Sequence, residues 1–471
     1  YITLGGFWHL FLCGIALILL IMGGFIMAHY QVIVIGGGPG GLPAAIAAAR
    51  QGKKTLLIER SAALGGLAIS ALPLLGFVDR AGNHVLGGIA QEFIDRMAKE
   101  DGTIGHIRCP IHNSLTIINP NWFRIIAFEM CREAGVDVML YSELMDVEMD
   151  GNRISSVRAL CRGDERTFSA DIFIDATGDG CLAAKAGAEY VKNEHLMPPS
   201  LTFTIGNVDI DAFLCYLKAH PESMVLPDTY GMKQTNEQFF GPKAFTFTGF
   251  AELIEQAKSN NDYTLPRDRI IFMKMGEPGQ IMVNTTRVNG VDMSDVDSVI
   301  EGEFACHHQI KELMHFFKKY APGFENCFLA SIAPCLGARE SRRIVGISTM
   351  TSEVLNTCEI KDDSVVLAGY NVDVHVPDTE QLSLQPVPHA VGVPYGTLVS
   401  RNIDNLLVAG RCASVASDIY GLTRIMGTCM GMGEAAGTAA ALSIEQSIIP
   451  AELDVQVLRR RLLENGAILS I

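Results

Sequence analysis

Apolar and polar positions along this chain change period several times, and each change marks an element. From Gln31, QVIVIGGGPGG reads as a buried strand running into a glycine turn, LPAAIAAARQG as a helix, and KTLLIER as a second strand. Pro43 falls in the first turn of that helix and Gly52 at its end, where each residue is best tolerated. Apolar spacing predicts amphipathic helices over 89–100 and 120–134, the second opening at Asn119-Pro120, and a buried strand in GVDVML. Residues 143–170 read as a short meander with a turn at Asp150-Gly151. DIFIDATGDG at 171–180 returns to an apolar strand that ends in glycines. From about 197 to 335 the periodicity weakens into prolines, polar loops and two helices near 249–258 and 299–318, the pattern of an inserted second unit. Strands resume over 340–376, and 405–445 shows strand, loop and a long helix rich in alanine and glycine. There is no internal repeat and no low-complexity tract.

The first 28 residues stand apart. FWHLFLCGIALILLIMGGFIMA, residues 7–28, is apolar except for His9 and long enough to span a bilayer. No Lys or Arg precedes it, so it lacks the basic region of a signal peptide, and Met27 begins MAHYQVIVIGG, which looks like an ordinary cytosolic start. Two expectations stand: a mis-assigned start of a cytoplasmic protein, or a single N-terminal membrane anchor. On either, the segment lies outside the core of the fold.

Composition narrows the partners. The 471 residues, 48% of them hydrophobic, suffice for two packed domains. A net charge of −15 with no basic tract speaks against nucleic acid, whose phosphates need clustered Lys and Arg. Twelve cysteines are scattered singly and no C-x-x-C occurs. That excludes a dithiol redox pair or zinc ribbon and fits reduced, buried thiols.

Gly36-x-Gly38-x-x-Gly41 lies between a predicted strand and a predicted helix, the context the dinucleotide fingerprint requires. The first glycine makes the tight turn, the second lets a pyrophosphate approach the backbone, and the third permits close helix–strand packing. The helix N-terminus offers free N–H groups to the phosphates. Glu59 ends the next strand, placed to accept from ribose hydroxyls and to repel a 2′-phosphate. Gly65-Gly66 follows, ATGDG at 176–180 ends a later strand, and NLLVAGR at 405–411 repeats the strand-then-glycine pattern. Three separated segments converging on one nucleotide suit a ligand as long as FAD better than NAD. GMGEAAG imitates a second fingerprint at Gly431-x-Gly433 but lies in a helix-like run, which reads as close packing.

The stretch from about 31 to 445 resembles the FAD-dependent oxidoreductases of the glutathione-reductase-type fold, in their fumarate reductase/succinate dehydrogenase-like branch. It is most similar to the family that joins the opening fingerprint to R-E-x-R-R-I-x-G, D-x-H and LLVAGR segments, which here read GARESRRIVG (337–346), DVH (373–375) and LLVAGR (406–411). The resemblance implies an α/β fold: a Rossmann-like FAD-binding domain with a β-meander and an inserted α+β substrate domain. The boundaries expected are 29–196 and 336–450 for the FAD-binding parts, 197–335 for the insert, and 451–471 for a C-terminal helix. By the same resemblance Gly36, Gly38, Gly41, Glu59, Arg60, Gly65 and Gly66 hold the ADP half of FAD, with Thr177, Gly178 and Asp179 lining the pocket. Gly410, Arg411, Arg424 and Gly427 would lie by the flavin. Succinate dehydrogenase-like enzymes often carry a flavin-linked histidine just after the double glycine. Here GGLAISALP follows with none before His84, so noncovalent FAD is expected.

A flavin takes the hydride and leaves proton, orientation and charge to the protein. In YNVDVHVP (370–377), strand alternation puts Asn371, Asp373 and His375 on one face. His375 is the expected acid/base, with Asp373 to orient it; a satisfied structural histidine beside Pro377 is the competing reading. Arg339, Arg342 and Arg343 with Glu340 form a second constellation. At least one of the arginines could clamp a substrate carboxylate or steady reduced flavin, and the others could form internal ion pairs. Tyr395 and His389 are weaker candidates. His308, Glu312 and His315 share a helical face but read as a solvated surface, and no metal is expected. The function these residues suggest is oxidation or reduction of a small, possibly anionic molecule by FAD, with an unidentified electron partner. Two alternatives keep the flavin: a tRNA-modifying protein, disfavoured by charge, and a membrane-linked carrier passing electrons to quinone.

Overall fold

The computed structural model describes residues 28–224, 239, 243–379 and 382–471; of the apolar segment 7–28 only Ala28 is among them. Among the described residues no helix is long and apolar enough to cross a membrane.

A seven-stranded sheet carries the larger core. Its parallel part runs Asp137–Met139, Thr55–Ile58, Ala28–Ile35, Asp164–Asp175 and Leu406–Val408. Strand Asp164–Asp175 has two uses. Its second half pairs with Leu406–Val408 in the parallel sheet, while its first half closes an antiparallel meander with Arg153–Cys161 and Ser142–Asp150. The central strands are uninterrupted Val, Ile, Leu and Phe because both faces are covered. Asp137–Met139, expected to be buried, is half-exposed. It is the outermost strand and pairs on one side alone.

Helix Gly41–Arg50 and the long helix Met426–Gln446 pack across the sheet with their backbones in contact. A Cβ on Gly433 would lie 2.0 Å from Gly40 O, and one on Gly437 2.1 Å from Ala44 O. The GMGEAAG run is therefore a helix-packing surface. Asn119 caps helix Pro120–Ala134 through its side chain to Asn121 N, as the Asn-Pro pair predicts.

A second core spans Leu201 to Leu336. Its five-stranded antiparallel sheet runs Thr246–Gly249, Ile270–Lys274, Ile281–Val283, Phe203–Gly206 and Phe328–Ile332. Helix Val296–Tyr320 packs into the same core, in which Phe213 contacts Phe245, Phe247, Phe250, Phe272 and Phe324. A third, small cluster joins the hairpin Thr103–Cys109/Asn113–Ile118 to Met273, Met275 and Met282 of that sheet. The second sheet is thereby seated as a cap over the larger unit.

One buried carboxylate carries a pH prediction. Glu434, on the long helix, accepts from Ile89 N at 2.9 Å at the start of helix Gly88–Lys99. Burial pushes its pKa up to about 7. Between the ordinary carboxylate range and pH 7 the folded chain holds a proton that the unfolded chain lacks, so stability falls as pH rises through that window. Glu434→Gln should match the parent at pH 5 and exceed it at pH 8 by about 2 kcal/mol, read from urea midpoints. An equal gap at both pH values would show that Glu434 does not titrate there.

Candidate active site

Parallel strands put their carboxyl ends on one edge of the sheet, and the glycine motifs all sit there. Gly36 follows Ile35, Glu59 follows Ile58, Thr177 and Gly178 follow Asp175, and Gly410 and Arg411 follow Val408. Gly36 has φ +103, and a Cβ there would lie 2.5 Å from Ala176 O. At Gly41 it would lie 1.7 Å from Gly36 O. Gly38 differs: its nearest such neighbour is Gly66 Cα at 3.8 Å, leaving an open approach to the backbone. The adjoining helix N-terminus at Gly40 has no side-chain cap, as suits a helix start that offers N–H groups to an anion. Gly65 N donates to Gly37 O at 2.8 Å, docking the Gly65-Gly66 turn onto the fingerprint.

Glu59 is held by N–H donors from Gly37 (2.7 Å) and Ser61 (2.8 Å), with Arg60 exposed beside it. Thr177 gives both its N–H and its hydroxyl to Asp175. Asp179 pairs with Arg411 at 2.9 Å, tying two strand ends together, and Gly178 lies under that guanidinium. Burial is the largest influence on Arg411 and opposes its charge, but Asp179 together with Tyr420 and Cys412 raises the pKa overall. Arg411 Nη1 is buried without a hydrogen-bond partner among the described residues. An open glycine cradle, an uncapped helix start, a carboxylate held in place at the end of the second strand and an orphaned donor fit FAD. Gly427 itself packs against Leu75 O, and it is Ile425 and Met426 that face the cavity beyond.

That cavity, of about 160 Å³, lies between the Arg411 end of this edge and the cap. Asp373, His375, Arg339, Arg411 and Arg424 line it from the larger unit, and Thr248, Ile271, Met273 and Asn284 from the cap. Strand alternation thus brings Asp373 and His375 together as expected, with His375 Nε2 3.5 Å from Asp373 Oδ1. Asn371 is instead buried behind the cavity, giving its amide N–H to Ile111 O at 2.9 Å. Arg424 pairs with Asp373 at 3.0 Å.

Arg287, from the cap, donates to His375 Nδ1 at 3.2 Å and to the carbonyls of Val376 and Thr379. A guanidinium only donates, so Nδ1 is the lone-pair nitrogen and the ring proton sits on Nε2. Burial, then Arg339, Arg424, Arg287 and Arg267, hold the His375 pKa well below its ordinary value. His375, the expected acid/base, therefore rests as a neutral ring beside Asp373.

The three clustered arginines part company. Arg339 lines the cavity fully buried, giving Nη1 to Pro198 O and Ser200 Oγ, both neutral acceptors. Burial and its cationic neighbours push its pKa down to about 9, so it stays charged at neutral pH. Arg342 turns away, to Asp179 O at 3.2 Å and the Tyr190 ring. Arg343 pairs internally with Glu340, with Asn193 Oδ1 at 3.0 Å. Neither Arg342 nor Arg343 lines the cavity; each is drawn off by its own partners.

Sequence reasoning missed Arg287, Asn284 and His112. The polar run NTTR after the apolar strand Ile281–Val283 was the available signal for the first two. His112 lines the cavity stacked on Tyr370 at 6.2 Å, its pKa lowered to about 4 by burial. Of the weaker candidates, Tyr395 gives its hydroxyl to Pro450 O and His389 is exposed. Glu312 accepts from Thr264 and Leu265, and among the described residues no cluster is placed to hold a metal ion.

Digeranylgeranylglycerophospholipid reductase 2 of Methanococcoides burtonii is 24% identical over 205 residues, 40% of this chain and 48% of the relative. The match thus spans about half the length of that curated relative. A p-nitrophenol 4-monooxygenase from Pseudomonas putida DLL-E4 superposes with TM-score 0.50 at 12% identity, over 94% of this chain and 87% of that one. At that identity the likeness shows the fold alone. A geranylgeranyl bacteriochlorophyll reductase-like protein from Thermoplasma acidophilum gives 0.49 at 16% identity, over 94% and 85%. The family described as FAD dependent oxidoreductase matches residues 31–462, and with that span, which takes in every glycine turn of the cofactor edge and both walls of the cavity, the chain belongs to the FAD dependent oxidoreductase family and uses FAD.

Proposed function

We propose that the protein moves a hydride between noncovalent FAD and a small organic anion, in the manner of the glutathione-reductase-type, fumarate reductase/succinate dehydrogenase-like flavoproteins its motifs resemble. The observation that carries this reading is Arg339: a buried cation in the cavity whose bonds go to neutral oxygens. The nearby Asp373 carboxylate favours the Arg339 charge but is ion-paired to Arg424; a buried cation with no carboxylate of its own is costly, and a substrate carboxylate would supply one. FAD supplies the hydride acceptor or donor; the chain binds, orients and manages the proton. His84, the first histidine after the double glycine, stands against His106 and does not line the cavity, which supports a noncovalent flavin.

His375 lines the cavity with Nε2 3.5 Å from Asp373 Oδ1 and its Nδ1 lone pair engaged by Arg287. To act as a base at Nδ1 the ring would have to release that guanidinium. As a neutral donor it can hold a substrate oxygen or give a proton, which favours the reductive direction. Anaerobic spectra of the purified holoprotein test this. The expected result is bleaching by NADH or NADPH and reoxidation by an unsaturated carboxylate. Bleaching by a saturated acid alone reverses the direction, and a preparation that binds no carboxylate overturns the reading.

A further inference from the structure

The cap-side wall of the cavity has a composition the reaction alone does not explain. Ser200 and Thr202 hydroxyls are used within the protein, on Thr286 O and Ser70 O. Ile271 and Met273 are apolar. Asn284 follows the strand Ile281–Val283, and its backbone N–H is taken by Ile271 O at 2.9 Å. Its side-chain amide has no hydrogen bond among the described residues, and Oδ1 is buried. A buried amide oxygen left without a donor costs free energy, so one that lines a cavity is a ready partner for a donor on a ligand or an ordered water.

We propose that Asn284 selects for a hydroxyl on the substrate, so that the preferred ligands are hydroxylated carboxylates of short chain; this rests on the anion reading of Arg339. A hydroxyl both donates and accepts, so it can satisfy an amide that offers a carbonyl and an NH₂. Charge decides between a hydroxyl and an ammonium. Arg339, Arg424, Arg287 and Arg267 all bear on His375, with Asp373 facing them and already paired to Arg424. A second cation on the ligand would enter that field unfavourably, whereas a neutral donor would not. The carboxylate at Arg339, the carbon chain along Ile271 and Met273, and the hydroxyl at Asn284 together describe one small molecule.

The test uses oxidised holoprotein, anaerobic, with shifts of the visible flavin band reporting binding. The probes are butanoate, pentanoate and hexanoate beside their mono-hydroxylated derivatives. At least one hydroxy acid should bind roughly 10- to 100-fold more tightly than its parent acid. Asn284→Ala should erase that preference while leaving parent-acid affinity and bound FAD unchanged. Equal affinities in the parent protein, or a preference that survives in Asn284→Ala, overturn the inference and leave the anion reading standing. If neither series shifts the band, both fall. An amino acid binding more tightly than the matched hydroxy acid overturns the choice of group.

Discussion

Arg339→Gln should lower kcat/KM roughly 10²- to 10³-fold while FAD stays bound, because removing the charge leaves a buried substrate carboxylate without its partner. The loss should appear in KM at least as much as in kcat. Glutamine can still reach Pro198 O or Ser200 Oγ, so the local fold has a means of surviving. Arg339→Lys should recover part of the activity, as a point charge without the guanidinium fork. A structural role alone would not move the pH profile, and here it should move. Arg339 is the largest charge effect depressing the His375 pKa, after burial itself. With that cation gone the imidazolium is less disfavoured, so the His375 limb of the kcat/KM profile should shift to higher pH. An unchanged profile with unchanged KM would place Arg339 among the purely structural arginines, with Arg343.

The glycines of the fingerprint should separate folding from cofactor binding. In Gly41→Ala the new methyl would meet Gly36 O at 1.7 Å, a backbone atom that cannot turn aside as a flexible side chain would. A loss of about 4 kcal/mol or more is expected, enough to leave little folded protein. In Gly38→Ala the methyl enters open space, nearest Gly66 Cα at 3.8 Å. That variant should fold with a urea midpoint near the parent's yet bind FAD roughly 10- to 100-fold more weakly, since the methyl stands where the pyrophosphate approaches. The urea midpoint and the FAD retained per chain read the two effects separately. Full FAD retention in Gly38→Ala would show that the cofactor does not use this opening.

The cofactor edge was legible because its instructions are local. A glycine needing positive φ, a helix start and an apolar strand are properties of a dozen neighbouring residues. Parallel pairing then carries four such turns to one edge without further information. Alternation along a short strand was enough to set Asp373 and His375 on one face. Gly431 and Gly433 could be read as packing glycines for the same reason.

The substrate side was legible only in part. Nothing near Arg339 distinguishes it from Arg342 and Arg343; which of the three enters the cavity depends on Ser200, Asp179 and Glu340, brought up by separate turns of chain. The tautomer of His375 is decided by Arg287, 88 residues earlier in the chain and in the cap. The sequence alone determined the α/β class, the FAD edge and the strand that bears the candidate acid/base. The tertiary structure decided which charges share a cavity and which nitrogen of His375 keeps its proton. The physical reason is range: backbone preferences act over a few residues, whereas burial and charge act between whichever groups the two folded cores bring face to face.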